Sequence, residues 1–187
     1  MKEVKIERLD MRNKELLEKC AELYCEIWKE PPWSEDFWTV EGVVKDIRKQ
    51  MERSNAVGFL ALCDREVIGF TWGYEISKND LQEISGVKSL DIIFENSRVF
   101  YIDELGVSPL FRNKGIGKQL SRTLLAVVRN SCEIRCFTLR TDIKAVAARN
   151  LYIKLEFRDL SIRDAEHSQR TYWFIELPCF FYLSNGG

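Results

Sequence analysis

The stretch "ELGVSPLFRNKGIGKQL", residues 104–120, joins a strand-like run to a helical pattern. It follows a strand-like run and holds two glycines, Gly115 and Gly117, inside a basic cluster. A helical pattern begins straight after, with Leu120 and Leu124 on one face. Glycine is costly at a helix start unless bare backbone is needed there. Because the first N–H groups of a helix lack internal partners and its dipole favours negative charge, the stretch predicts an anion site.

Two common phosphate-binding loops do not fit this stretch. A Walker A loop, G-x-x-x-x-G-K-[ST], would need glycine where Arg112 stands and serine or threonine where Gln119 stands. A dinucleotide fingerprint, G-x-G-x-x-G, needs a third glycine that "GIGKQL" lacks. The predicted anion site is therefore neither a Walker A loop nor a dinucleotide-binding loop, and it suits another kind of phosphate ligand.

The apolar spacing along the rest of the chain predicts alternating strands and helices. Strands are expected at 3–9, 56–64, 66–77, 98–107, 134–142, 157–163 and 171–181. Helices are expected at 13–28, from a Ser34 cap to about 51, at 115–131 and at 144–155. This order predicts an α/β or α+β sheet with helices on both faces. We expect a single domain, residues 1–187, with a variable loop at 76–97 and a frayed end at 184–187.

Composition excludes several classes of protein. The net charge is −1, which leaves no global basic field for a nucleic-acid partner. The start has no apolar signal core, and the longest apolar run, 172–183, is too short to span a membrane. The six cysteines form no C-x-x-C pair and His167 stands alone, so we expect no metal site. Buried reduced thiols are the simplest interpretation, and they indicate a reducing, cytoplasmic location.

The motif R-x-x-G-x-G at Arg112, Gly115 and Gly117 resembles the [RQ]-x-x-G-x-[GA] signature of the GCN5-related N-acetyltransferase (GNAT) family. "ELGVSPLFR" resembles the fourth strand of that family, and "NLYIKLEF" resembles its later "LYxKxGF" helix end. The resemblance implies a mixed, mostly antiparallel, twisted sheet of about seven strands flanked by about four helices. It also implies a splay between the fourth and fifth strands, and acetyl-CoA as co-substrate without a metal.

The resemblance also implies which residues bind the cofactor. Backbone groups of Leu105 and Val107 would hold the pantetheine arm, and N–H groups from Asn113 to Lys118 would hold the pyrophosphate. The full set is Leu105, Gly106, Val107, Arg112, Asn113, Lys114, Gly115, Ile116, Gly117, Lys118, Thr141 and Asn150. Two positions depart from the family pattern: Ala145 replaces an asparagine, and Glu156 replaces a glycine, which suggests an altered turn.

Acetyl transfer to an amine requires a neutral amine and a protonated leaving thiol. Deprotonating an alkyl ammonium at pH 7 costs about 4–5 kcal/mol, which a general base lowers. The resemblance favours Glu104 as that base, while strand alternation turns Asp103 to the opposite face. It matches Tyr152 to the general acid. A strand-edge carboxylate with a solvated or ion-paired role is the alternative for Glu104, and a core aromatic is the alternative for Tyr152.

Aromatic residues beside carboxylates predict the acceptor. Trp33 and its neighbours accompany Glu30, Glu35 and Asp36, a combination that suits a cationic amine. Simple packing at the helix junction is the alternative for these aromatic residues. Trp72 and Tyr74 extend either this pocket or the core. A small polyamine-like or aminoglycoside-like acceptor is the hypothesis. A protein or peptide acceptor and a non-catalytic acyl-CoA sensor are the alternatives, and the apolar last strand suits either a homodimer interface or the core.

Overall fold

Seven strands form one open, mixed sheet in the order β1-β2-β3-β4-β5-β7-β6. The computed structural model describes residues 3–87, 93 and 98–178. The strands are β1 Val4–Arg8, β2 Val57–Cys63, β3 Glu66–Ile76, β4 Val99–Val107, β5 Cys136–Asp142, β6 Arg158–Arg163 and β7 Arg170–Glu176. The pairs β1–β2, β2–β3, β5–β7 and β6–β7 are antiparallel, and β4–β5 is parallel. The predicted mixed, mostly antiparallel sheet of seven strands is confirmed.

Five α-helices are present in the described part of the chain, where the sequence predicted about four. They are α1 Lys14–Trp28, α2 Val40–Met51, α3 Lys78–Ser85, α4 Ile116–Cys132 and α5 Val146–Lys154. Helix α3 occupies part of the segment predicted as a variable loop, and Ser77 caps it by accepting the Asp80 N–H at 3.1 Å. The rest of that loop, 88–92 and 94–97, and the end at 184–187 lie outside the described residues.

Helix α2 begins later than the sequence predicted. Ser34, the expected cap, has φ 52°, whereas a helix N-cap takes an extended conformation. Thr39 is the actual cap, and its hydroxyl accepts the Gly42 N–H at 3.1 Å. The segment between Ser34 and Thr39 is therefore a non-helical connection, and the indole N–H of Trp38 donates to Glu35 within it at 2.8 Å.

The chain divides into two compact units, each of which has its own buried interior. The first unit comprises Met1–Tyr74 and Asp103–Leu124. Its core joins apolar faces of α1 and α2 to β2 and β3, and Leu17, Phe70 and Trp72 are almost fully buried there. Each such side chain stabilises the fold by about 1.5–3 kcal/mol. This packing orients the polar side-chain groups on the buried faces of α1 and β3.

A tight hairpin joins β2 to β3 in the first unit. Asp64 and Arg65 have φ 52° and 66°, and Cys63 pairs with Glu66 across the turn. Two left-handed residues in succession make a type I′ turn, whose twist matches that of the flanking strands. The two strands predicted at 56–64 and 66–77 are therefore joined by a tight turn that contains no glycine.

The second unit comprises Glu75–Ile102 and Leu125–Gly187. The parallel ladder lies here, and it joins Val99 to Cys136, Phe100 to Phe137 and Tyr101 to Thr138. The rings of Phe100 and Phe137 lie 5.8 Å apart in the core of this unit. The predicted splay beyond these three pairs stays a prediction.

Within the described ranges, no helix has the length and apolar character needed to cross a membrane. The same residues contain no cluster of three or more side chains suited to hold a metal ion. Cys20, Cys25, Cys63 and Cys136 are buried free thiols, Cys132 is a half-buried one, and Cys179 lies outside the described residues.

Candidate active site

The glycine stretch forms an exposed loop that leads into the N-terminus of α4, in the first unit. Strand β4 ends at Val107, and a short 3-10 turn follows. Asn113 and Gly115 then take left-handed φ values of 62° and 79°. The Gln119 N–H donates to the Gly115 carbonyl at 3.0 Å, which is the first bond of the helix. The preceding N–H groups, 116–118, therefore have no partner within the helix.

The space around this loop fits an anion. A Cβ built on Gly115 would meet nothing within 4 Å, so the glycine serves backbone conformation and leaves open space beside the helix end. Gly106 differs, because a Cβ there would collide with Phe70 and Ile27. The residues present therefore suit a pyrophosphate at the loop, while Gly106 is required by core packing whatever its backbone binds.

Three basic side chains surround the loop. Arg112 forms an ion pair with Glu30 at 2.5 Å and donates from Nε to the Val107 carbonyl at 3.2 Å. The Lys114 ammonium donates to the Leu110 carbonyl and lies 4.7 Å from the centre of the Phe111 ring. Lys118 is exposed in the first turn of α4. The local positive charge that the sequence predicted is present, and Glu30, expected near the acceptor, pairs with it.

Glu104 lies half-buried on β4, and both its side-chain carboxylate and its main-chain carbonyl accept a hydrogen bond. Its Oε1 accepts a hydrogen bond from the Tyr24 hydroxyl at 3.0 Å, and its main-chain carbonyl accepts one from the Thr71 hydroxyl at 2.9 Å. Burial, and next the charge of Asp103, raise the pKa of Glu104 well above the ordinary carboxyl value, while the Tyr24 hydrogen bond opposes the rise. A carboxylate with a raised pKa is suited to accept a proton near neutral pH.

Asp103, the neighbour on β4, has a tyrosine partner of its own. The Tyr74 hydroxyl donates to Asp103 Oδ2 at 2.9 Å, and the Arg53 guanidinium lies 4.4 Å from the centre of the Tyr74 ring. Burial, and next the charge of Asp103, raise the pKa of Tyr74. The two adjacent carboxylates are therefore each held by a different tyrosine, and they interact electrostatically although strand alternation separates their side chains.

An aromatic cluster surrounds the Tyr24 ring. Tyr24 stacks on Trp28 at 4.6 Å and on Phe70 at 5.8 Å, and Trp38 meets it edge-on at 5.4 Å. Trp33 stacks on Trp28 at 5.9 Å and is half-buried. This cluster places the hydroxyl of Tyr24 rigidly at the Glu104 carboxylate.

The three residues predicted to bind the acceptor differ in exposure. Trp72 and Tyr74 are 1% and 2% exposed, so their rings belong to the core of the first unit. The Trp72 indole N–H donates to Gln50 at 2.5 Å, and Gln50 donates to Asp46 at 2.7 Å. Trp33 retains more exposure than either. Acceptor binding by these residues stays a prediction.

Tyr152, the predicted general acid, lies on α5 in the second unit. It is 8% exposed, and its ring packs against Phe157 at 5.9 Å and Trp173 at 6.0 Å. Its carbonyl accepts the Phe157 N–H at 3.0 Å, while the Glu156 N–H donates to the Ile153 carbonyl at 2.9 Å. These two bonds make a Schellman motif, with Glu156 at φ 68° in the usual glycine position. The expectation of an altered turn was wrong: Glu156 makes the ordinary helix end without glycine.

The remaining predicted cofactor residues also lie in the second unit. Thr141 is buried on β5 and pairs with Thr171, and Asn150 is exposed on α5. Ala145 stands at the N-cap of α5 without a side-chain cap, and the Asp142 carboxylate accepts the Lys144 N–H at 2.7 Å just before it. Glu104 and the glycine loop belong to the first unit. Cofactor contacts by Thr141 and Asn150 stay predictions.

Sequence reasoning missed the hydrogen bond from Tyr24 to Glu104, and it missed the contacts of Gln50 with Trp72 and Asp46. Helical spacing places Tyr24 only on the apolar face of α1. A signal was present, because a buried tyrosine hydroxyl normally needs a hydrogen-bond partner. The identity of that partner, 80 positions away, could not be read from spacing along the chain.

Comparison with known proteins now adds to this geometry. The profile of the acetyltransferase (GNAT) family matches residues 15–157. A search of curated proteins finds no match. Three solved structures share the fold at 15–19% identity: a GNAT-family acetyltransferase from Staphylococcus aureus Mu50, PaiA N-acetyltransferase from Thermoplasma acidophilum in complex with coenzyme A, and Arabidopsis thaliana NAA60 in complex with a bisubstrate analogue.

The likeness to these three structures extends over almost the whole of each chain. The S. aureus protein is 16% identical with a TM-score of 0.69, over 94% of this chain and 100% of its own. PaiA is 15% identical with a TM-score of 0.64, over 94% and 99%. NAA60 is 19% identical with a TM-score of 0.63, over 94% and 100%. At these identities the likeness shows the fold.

Proposed function

The chain belongs to the acetyltransferase (GNAT) family, and on that premise we propose that it acetylates a primary amine of a small cationic molecule. Membership makes it an acyltransferase that acts with acetyl-CoA. The proposal adds the acceptor class and two roles, Glu104 as general base and Tyr152 as general acid. It also places the enzyme in the cytoplasm, in agreement with its reduced thiols.

The observation that supports this proposal is the state of Glu104. Its carboxylate is half-buried and hydrogen-bonded to Tyr24, with a raised pKa caused by burial and by Asp103. A solvated strand-edge carboxylate would show none of these features, and Glu104 has no cationic partner among the ion pairs of the described residues, as an ion-paired one would. A non-catalytic sensor would have no need for a half-buried, hydrogen-bonded carboxylate on β4.

The chemistry divides between the cofactor and the chain. Acetyl-CoA, when bound, supplies the acetyl group as a thioester: a C–N bond forms, the C–S bond breaks, and one net proton is released. The N–H groups at the start of α4, with Arg112, would hold its pyrophosphate. Glu104 takes a proton from the acceptor ammonium and passes it to solvent. The Tyr152 hydroxyl gives its proton to the departing sulfur and regains one from the new amide nitrogen, so both groups return to their starting state.

The carboxylates around Glu104 favour a cationic acceptor. Asp46 and Glu35 both contribute to the raised pKa of Glu104, after burial and Asp103. A second positive charge on the acceptor would offset this negative field. A peptide acceptor is the second candidate, because the NatC complex, a chain of which shares the fold at 17% identity and a TM-score of 0.66, was solved bound to Gag peptide and CoA.

An acceptor panel tests this proposal. Free thiol released from acetyl-CoA is measured with diamines, polyamines and aminoglycosides, with monoamines of matched length, and with peptides that carry free N-termini or lysines. We expect kcat/KM for the best polycationic amine to exceed that for its matched monoamine by about tenfold or more, the equivalent of one 1.4 kcal/mol contact. Turnover of peptides alone would contradict the proposed acceptor class and support the second candidate.

A further inference from the structure

Tyr24 is the side chain that restrains the carboxylate of Glu104. In the described part of the chain, the Glu104 side chain accepts a hydrogen bond on one oxygen, Oε1, from the Tyr24 hydroxyl at 3.0 Å. The second oxygen, Oε2, is the one left to approach an acceptor. A carboxylate held through one oxygen has a defined orientation, since rotation about the Cγ–Cδ bond would break the hydrogen bond to Tyr24.

The tyrosine itself has little freedom to move. It is 4% exposed, and its ring lies between Trp28, stacked at 4.6 Å, and the edge of Trp38 at 5.4 Å. Phe70 and Trp72 stack farther along the same face, at 5.8 and 6.2 Å. The hydroxyl is therefore fixed by five aromatic rings, its own included, rather than by a flexible chain.

We propose that Tyr24 is a positioning residue for Glu104. By holding the carboxylate through Oε1, Tyr24 turns Oε2 toward the acceptor amine and keeps the carboxylate in its ionised form. This inference rests on the proposed role of Glu104. It assigns a function to the aromatic cluster around Tyr24 beyond core packing. The surrounding rings pack against Tyr24, and its hydroxyl holds the base.

Charged and titratable groups face Glu104 from every element packed against it. They are Asp103 on its own strand, Cys20 and Tyr24 on α1, Glu35 in the α1–α2 connection, Asp46 on α2 and Tyr74 on β3. The carboxylates oppose ionisation of Glu104 by repulsion, and so does burial. The Tyr24 hydrogen bond favours the ionised form. Loss of the Tyr24 hydrogen bond should therefore raise the pKa of Glu104 further, so that the carboxyl stays protonated up to a higher pH than in the natural protein.

The hydrogen bond between Tyr74 and Asp103, the neighbour of Glu104, offers a matched control. Tyr74 donates its hydroxyl to Asp103 at 2.9 Å, in the same unit and at similar burial. Tyr74→Phe removes a tyrosine hydroxyl bound to a carboxylate, as Tyr24→Phe does. Both changes keep the aromatic ring, so both proteins keep the ring stacking that supports the fold.

The test reads the Glu104 carboxyl directly. Protein labelled with carbon-13 at glutamate carboxyls is titrated by NMR, and the Glu104 signal is identified by its absence in Glu104→Gln. We expect the midpoint to move upward in Tyr24→Phe and to move much less in Tyr74→Phe. Turnover at pH 7 in Tyr24→Phe should fall about 10-fold to 100-fold, the value of one hydrogen bond to a charged group, and recover in part at higher pH.

Two failures can be distinguished by this experiment. A Glu104 midpoint that is unchanged in Tyr24→Phe, or that moves equally in Tyr74→Phe, overturns the positioning role and leaves the proposed function intact. Full turnover in Glu104→Gln overturns the proposed base instead. Thermal melting of each variant shows that it is folded before either result is used.

Discussion

Replacing Glu104 with glutamine should lower turnover by about 100-fold or more, the usual contribution of a general base. Glutamine keeps the shape of the side chain, and its carbonyl oxygen still accepts the Tyr24 hydroxyl that now reaches Glu104 at 3.0 Å. Only the ability to take a proton is lost. Thiol release with the best acceptor measures the change, and acetyl-CoA affinity should stay within about threefold because the glycine loop is untouched.

The same change should make the protein more stable. Burial and neighbouring carboxylates raise the pKa of Glu104, so ionising it in the folded state costs free energy. That cost is absent below the unfolded carboxyl pKa of about 4.3, grows as pH rises toward the folded pKa, and then stays constant. The melting temperature of Glu104→Gln should therefore exceed that of the natural protein by more at pH 8 than at pH 5.

Asp103→Asn is the control for both effects. It removes a negative charge from the adjacent position of the same strand, and its partner Tyr74 is retained. Turnover in this variant should fall much less than in Glu104→Gln. Glu104→Gln with turnover within threefold of the natural protein would contradict the role assigned to Glu104, as would Asp103→Asn with the larger loss.

Replacing Asp164 with alanine should lower the free energy of unfolding by about 3 kcal/mol, since it removes a buried hydrogen-bonded carboxylate and leaves the half-buried charge of Arg140 without this partner. The Asp164 side chain is fully buried, pairs with Arg140 at 2.5 Å and accepts the Tyr172 hydroxyl at 3.0 Å. The N–H groups of Glu166 and His167 complete its hydrogen bonds, each at 3.0 Å. Burial alone would raise the pKa of Asp164, but the His167 N–H and Arg140 outweigh it and hold that pKa below its ordinary value.

Thermal melting at neutral pH measures this loss, and we expect a decrease of about 6–12 °C for a chain of this size. Because the pKa of Asp164 is lower in the folded protein, Asp164 stabilises the fold fully at pH values above its unfolded pKa of about 3.9. This stabilisation is lost as pH falls through the folded pKa. Glu176→Ala is the control, because Glu176 is 55% exposed and lies 3.9 Å from Arg135 in the same unit. Similar small losses in both variants would show that the buried pair contributes little.

Most of the fold could be predicted because its signals are local. Apolar alternation locates the strands, and the paired glycines of the 112–117 stretch mark the point where the strand gives way to a helix. The start of α2 could not be predicted in this way. Ser34 and Thr39 are both good cap residues, and only the backbone conformation of the intervening segment selects Thr39.

The candidate site was less accessible to sequence reasoning. Cofactor binding by Gly106 stays a prediction, and the sequence did not reveal that packing also demands glycine there, because a Cβ would collide with Phe70 and Ile27. The Tyr24–Glu104 and Arg112–Glu30 contacts each join residues about 80 positions apart. Such partners depend on how helices pack against the sheet, which periodicity does not specify.

Calorimetric titration with acetyl-CoA tests whether the glycine loop at the start of α4 binds the cofactor. The natural protein is compared with Gly117→Glu, which places a negative side chain at the start of α4, and with Gly42→Glu, the same change in the first turn of α2. We predict micromolar binding, about −8 kcal/mol, in the natural protein and in Gly42→Glu, and none in Gly117→Glu. A folded natural protein that does not bind, or a Gly117→Glu protein that binds equally well, would contradict the account.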